Sequence, residues 1–120
     1  MIKVLSEISM LFDYIQTLLN DSFLPLRDDQ REVVEMLQRA TYDLEKLWMP
    51  QHFYQQLPSN EQFRWHHDMG NPLNGLIGLS ELLLMDHLAE PHRKYIRAIN
   101  CSSKDILTQI HDLRIVSTTS

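Results

Sequence analysis

Three neighbouring side chains in the segment WHHDMGNPLNGLIGLSELLLMD (residues 65–86) have types and spacing suited to phosphoryl chemistry: His67, Asp68 and Asn71. Positions 67 and 71 are one helical turn apart and share a face. Asp68 is adjacent, so its carboxylate reaches the same surface. An imidazole beside a carboxylate is a competent nucleophile or phosphoryl acceptor, because the carboxylate fixes the tautomer and takes up positive charge as the ring attacks. The amide of Asn71 adds a donor for a water or a phosphoryl oxygen. By spacing alone, the competing reading is an ordinary solvated helix face.

The elements that must carry these residues are helices. Apolar residues at Val4, Ile8, Leu11, Phe12, Ile15, Leu18 and Leu19 predict a helix over residues 4–20. NDSFLPLRDD interrupts the pattern, and a second helix is predicted from about Arg27, with Val33, Val34, Leu37, Ala40, Leu44, Leu47 and Trp48 as its stripe. Residues 50–60, with Pro50 and Pro58, read as a connector. Ser59 or Asn60 is the expected cap of a third helix reaching Asp86, with Gln62 near the capping-box position. Its predicted core stripe is Phe63, His66, Met69, Leu73, Leu76, Ile77, Ser80 and Leu83/Leu84. A fourth helix is predicted from Pro91 to about Val116, with Tyr95, Ile96, Ile99, Ser102, Ile106, Ile110 and Leu113 inward. Residues 117–120 read as a polar tail. The fold class is all-α, a four-helix bundle of antiparallel hairpins in one domain spanning 1–120. Trp48, Phe53, Tyr54 and Trp65 are expected to close one end of the core.

Composition narrows the function. The formal net charge of -5 argues against a nucleic-acid partner. The longest apolar run, Leu82 to Met85, is far below the ~20 residues of a membrane span. Cys101 is the single cysteine, which suits a reducing compartment, and a cytoplasmic location is expected. His66, His67, His87 and His92 lack metal-ligand spacing, so no metal or cofactor is expected on this chain.

The chain also overlays on itself. YIQTLLND (14–21) lies over LSELLLMD (79–86), and QREVVEMLQRATYDLEKLW over HRKYIRAINCSSKDILTQI. Arg31 then meets Arg93, Val34 meets Ile96, Leu37 meets Ile99 and Asp43 meets Asp105. Charged as well as apolar positions match, which periodicity alone does not require. Residues 1–49 and 61–116 thus read as two copies of one helical hairpin.

HDMGNPLNGLIGLSELL resembles the H-box of sensor histidine kinases, in their dimerisation and histidine phosphotransfer (DHp, or HisKA-type) domain. The family pattern H-[ED]-x-x-[TN]-P-L is met by His67, Asp68, Asn71, Pro72 and Leu73, and PHRKYIRAINCSSKDILTQIHDL resembles the family's second helix. The resemblance implies that His67 is the phosphoacceptor and Asp68 the acidic neighbour that assists transfer. It also implies that Asp68 and Asn71 serve phosphatase activity on a regulator's phospho-aspartate. The partner it implies is a response-regulator receiver domain, which brings its own Mg²⁺, or a histidine kinase. Met69 and Gly70 replace the commoner Leu and Arg of the family. No ATP-binding motifs are present in these 120 residues, so autokinase activity from this polypeptide alone is not expected.

Ile2 falls where His67 would lie in the first copy, which therefore has no acceptor. Family domains dimerise into a four-helix bundle, whereas this one chain supplies four helices. The expectation is a fused pseudo-dimer, monomeric in solution, in preference to a homodimer through the second hairpin. Three glycines lie in the acceptor helix, each costing ~1 kcal/mol against alanine in a helix interior. Asn74, Gly75 and Gly78 are the expected docking strip for the receiver. A non-catalytic adaptor that sequesters a kinase or regulator, and a purely structural bundle, are the alternative functions.

Overall fold

The structure, a computed structural model, describes residues 2–119 and the side chains of residues 4–113. It has five helices: α1 (Ile2–Leu19), α2 (Asp28–Leu47), α3 (Gln51–Gln55), α4 (Ser59–Leu84) and α5 (Glu90–Thr119). No strand occurs among the described residues. The four long helices form an all-α bundle about 51 Å long. α1 packs on α2 and α5, and α4 packs on α2 and α5. Two antiparallel hairpins, α1–α2 and α4–α5, therefore share one core, as the amphipathic stripes predict.

That core is aliphatic and drawn from every long helix. Val4, Ile8, Leu11, Ile15 and Leu18 enter from α1, and Val34, Leu37 and Leu44 from α2. Met69, Leu73, Leu76 and Leu83 enter from α4, and Ile96, Ile99, Ile106, Ile110 and Leu113 from α5.

The predicted register shifts on two helices. On α4 the upper core position belongs to Trp65, while Phe63 is 60% exposed. A helix can bury only one phase of its first turns, and the indole at 65 is in phase with Met69 and Leu73 (offsets of four). On α5 the inward serine is Ser103, four residues beyond Ile99 and bonded to its carbonyl, rather than Ser102. The connector is not irregular throughout, because Gln51–Gln55 forms the short α3. The α4 cap also differs. Pro58 occupies the N-cap without a side-chain bond, and Gln62 instead donates to the Tyr54 carbonyl at 3.0 Å. The expected tail is helical to Thr119, and Ser120 lies outside the described residues.

At the hairpin tips, paired contacts follow the sequence overlay. Arg31 Nη1 donates to the Leu19 carbonyl at 2.9 Å, and Arg93 Nη1 donates to the Leu84 carbonyl at 2.9 Å. The overlay pairs Arg31 with Arg93 and Leu19 with Leu84. Each arginine thus caps an orphan carbonyl at its own hairpin's first-helix end. Across the hairpins, Gln30 Nε2 reaches Asp86 Oδ2 at 3.3 Å, while His92 Nε2 faces Asp21 Oδ2 at 3.6 Å. Gln30 overlays His92, and Asp86 overlays Asp21. Deeper in the core, Thr41 bonds the Leu37 carbonyl at 2.8 Å and Ser103 the Ile99 carbonyl at 2.7 Å, again at paired positions.

Candidate functional site

The geometry of the site follows from what holds the front of α4. Trp65 is buried, and its Nε1–H donates to the Leu47 carbonyl at 2.8 Å, satisfying one of the last orphan carbonyls of α2. Tyr54, buried on α3, shares a 2.6 Å hydrogen bond with His66 Nε2 and stacks edge-on to its ring. Trp48 and Tyr54 flank the Trp65 indole with tilted rings. Trp65, Tyr54 and Trp48 close this end of the core as expected, but Phe53 is exposed. With Trp65, Met69, Pro72 and Leu73 facing inward, His67, about 200° round the helix from Trp65, must face outward.

His67 is 70% exposed at its side chain and Asp68 44%. His67 Nδ1 lies 3.6 Å from Asp68 Oδ1. That distance is longer than a hydrogen bond and within ion-pair range once the ring is cationic. Nδ1 therefore faces the carboxylate, and Nε2 points away from it. Asn71 is exposed one turn further on, as are Asn74 and Gly78, while Gly75 is half-buried. Pro72 lies inside α4, which runs unbroken from Ser59 to Leu84. The three glycines are helical, with no positive φ. A Cβ added at Gly75 or Gly78 would meet nothing within 4 Å, and one at Gly70 would only touch Asn74 Nδ2 at 4.0 Å.

Beside the histidine runs a groove between α2 and α4 of about 360 Å³, lined by Asp43, Lys46, Leu47, Asp68, Asn71 and Pro72. Two of the expected site residues, Asp68 and Asn71, thus share a wall. The α2 residues Asp43 and Lys46 complete the groove, and sequence reading placed neither of them at the site. Nothing within α2 flags them, because only the cross-hairpin register brings them opposite the H-box. The overlaid groove on the far side, between α1 and α5, is lined by Ser6, Glu7, Met10, Cys101, Ser102 and Asp105. A surface hollow of about 750 Å³ lies at the start of α5 around Glu90, Pro91, Lys94 and Tyr95 and includes no H-box residue. No cluster of three His, Cys, Asp or Glu side chains disposed to hold a metal ion occurs among the described residues. No described helix is long and apolar enough to cross a membrane.

Comparison with known proteins covers the two helices that carry these residues. Residues 64–119 match the family model of the His Kinase A (phospho-acceptor) domain. The chain is 45% identical over 47 residues to hybrid signal transduction histidine kinase A of Dictyostelium discoideum, covering 39% of this chain and 2% of that protein. It is 46% identical over 37 residues to the aerobic respiration control sensor protein ArcB homolog of Haemophilus influenzae, covering 31% of this chain and 11% of that protein. The aligned stretches are thus a small part of both relatives. No solved structure matches the chain. With the H-box at residues 67–73 and the match running through both helices of the second hairpin, residues 64–119 are similar to the His Kinase A (phospho-acceptor) domain.

Proposed function

We propose that this chain works in two-component signalling by exchanging a phosphoryl group between His67 and the aspartate of a response-regulator receiver domain. The observation that carries the reading is the exposed His67, with Nδ1 turned to Asp68 and Nε2 free, inside the family-matched hairpin. In the step from regulator to histidine, the Nε2 lone pair forms a bond to phosphorus and the phosphorus–oxygen bond to the receiver aspartate breaks. The aspartate leaves as a carboxylate. The ring keeps its Nδ1 proton and becomes cationic, and Asp68 offsets that charge. The reverse step runs over the same atoms. The chemistry is mainly positioning, with Mg²⁺ held by the receiver.

A second reading is favoured by Asn71, which shares the groove wall with Asp68. There the pair orients a water against the regulator's phospho-aspartate, and the chain acts as a phosphatase. In either case Asn74, Gly75 and Gly78 form the strip on which the receiver rests. The first hairpin acts as scaffold in a fused pseudo-dimer with one acceptor, and the chain operates in the cytoplasm.

The test is to incubate the chain with acetyl-phosphate-charged receiver domains and follow the phosphate. Label on wild type that disappears in His67→Ala supports phosphotransfer. Free phosphate that needs Asn71 and survives His67→Ala supports the phosphatase. Binding with neither reaction leaves the adaptor function.

A further inference from the structure

We infer that Lys46, on the hairpin that has no histidine, is the charge-balancing residue for the phosphoryl group at His67. This inference rests on the acceptor reading of His67. Phosphorylation adds a dianionic group to His67, whose sequence neighbour Asp68 lines a groove that also holds the carboxylate of Asp43. Each like-charge pair at ~4 Å costs about 1 kcal/mol even in water. Lys46 is the one cation among the residues lining that groove. It is exposed and forms no ion pair in the described structure, although Asp43 lies one turn before it on α2. Asp68 connects the two halves of the site, because it lines the groove with Lys46 and lies 3.6 Å from the His67 ring. An unpaired ammonium on a four-carbon stem is suited to follow an oxyanion arriving at this edge.

The chain carries its own comparison. In the overlay Asp43 matches Asp105, an acidic residue in both copies, whereas Lys46 matches Thr108 and Leu47 matches Gln109. The lysine is therefore present only where the groove borders a histidine. Asp105, its opposite number's neighbour, is bonded by Gln109 Nε2 at 3.2 Å, and Glu7 accepts from the same amide at 3.2 Å. The mirror groove thus ties its carboxylates to an amide, while the acceptor groove leaves a cation available.

The experiment uses the full chain and phosphoramidate, a small phosphoryl donor that needs no partner. Nε2 of His67 forms the bond to phosphorus, the donor's P–N bond breaks, and ammonia departs. Labelling of wild type, Lys46→Ala, Lys46→Arg and Arg64→Ala is followed against donor concentration at low and high salt. Arg64 is an exposed cation one turn before His67 and outside the groove. The expected result is a drop of roughly fivefold in kcat/KM for Lys46→Ala, the factor set by one such charge pair in water. Lys46→Arg should restore it, the drop should shrink at 1 M salt, and Arg64→Ala should change little. Thermal midpoints of all variants should match, since Lys46 is exposed. Equal losses in Lys46→Ala and Arg64→Ala, or a Lys46→Ala loss that salt does not touch, would overturn the assignment. Wild type labelled at His67 with Lys46→Ala unchanged overturns the lysine alone. Wild type unlabelled overturns the acceptor reading and the lysine with it.

Discussion

The residues that do the work at each end of the bundle differ in how they are held. At the H-box end, His67 and Asp68 have only each other and solvent, which suits the receiver contact proposed above. At the hairpin tips, Asp86 is held from three sides. The His87 N–H donates to Oδ1 at 2.7 Å, and Gln30 and Arg27 donate to Oδ2 at 3.3 and 2.6 Å. The backbone bond from His87, then the bonds from Gln30 and Arg27, hold the Asp86 carboxyl below its ordinary value of 3.8. The forked bond from Arg27 does the same for Asp29. A carboxyl depressed in the folded state binds fewer protons than the unfolded chain. Its contribution is therefore complete above pH ~4 and fades as pH falls through the lower folded value. Thermal midpoints measured from pH 6 to pH 2 should fall below pH ~4, and Asp86→Asn should reduce the slope of that fall. An unchanged slope would mean that the clasp carries no pH-dependent stability. Because these groups are near the surface, the effect is modest. The H-box was legible in the sequence, since its residues fall within one seven-residue stretch of a single helix. The Asp86 clasp was not, because its partners lie in a different hairpin and only the bundle register joins them.

At the scale of the element, α4 poses a stability question that its own geometry answers. Gly75 and Gly78 have helical φ, and added Cβ atoms would meet nothing within 4 Å. No turn, close approach or strained backbone calls for glycine here. Replacing either by alanine removes the entropic cost of glycine, so each should stabilise the protein by about 0.5–1 kcal/mol in denaturant unfolding. The Cβ of a leucine meets no neighbour there either, so Gly75→Leu should fold normally. If the strip is where the receiver rests, that variant should lose phosphotransfer from a charged receiver yet still accept phosphate from phosphoramidate. Normal transfer from the receiver would sink the docking role, and loss of both reactions would point to damage at His67 itself. The helices were legible to within two or three residues at most ends, because a period near 3.6 is a strong signal over so many turns. Phase within a helix was harder. Phe63 and Trp65 are both large and aromatic, and choosing between them required Leu47, whose carbonyl takes the Trp65 indole N–H. The short α3 was hidden for a similar reason. Five residues show no period, and their order comes from burying Tyr54 against Trp65 and His66.

At the scale of the molecule, the question is whether four helices from one chain replace the dimer that the family resemblance implies. Each hairpin's apolar face is covered by the other. Ile8, Leu11 and Ile15 of α1 are buried together with Ile99 and Ile106 of α5, and Val34, Leu37 and Leu44 of α2 together with Leu73 and Leu76 of α4. A second copy would find no stripe left to pair with along these helices. Among the described residues, the large apolar side chains that remain exposed divide between the tips (Phe23, Leu24, Leu82, Met85), the opposite end (Phe53, Phe63) and other points along the helices (Leu5, Met10, Met36, Tyr42). Scattered exposed apolar residues are normal on a monomer, whereas a stable dimer needs a contiguous face. The 120-residue chain should therefore sediment as one 14.2 kDa species at micromolar concentration. The same closure predicts a cooperative single unfolding transition, because neither hairpin has a core of its own. Cutting a stripe residue of the first hairpin, as in Leu37→Ala, should cost about 2–5 kcal/mol and unfold both halves at one midpoint. Phosphotransfer at His67 should then vanish along that same transition, although Leu37 is on the other hairpin. A tight dimer in the wild type, or an α4–α5 hairpin that keeps its helicity and its transfer after the first hairpin has melted, would show that the second hairpin supplies its own partner and that the first is an appendage.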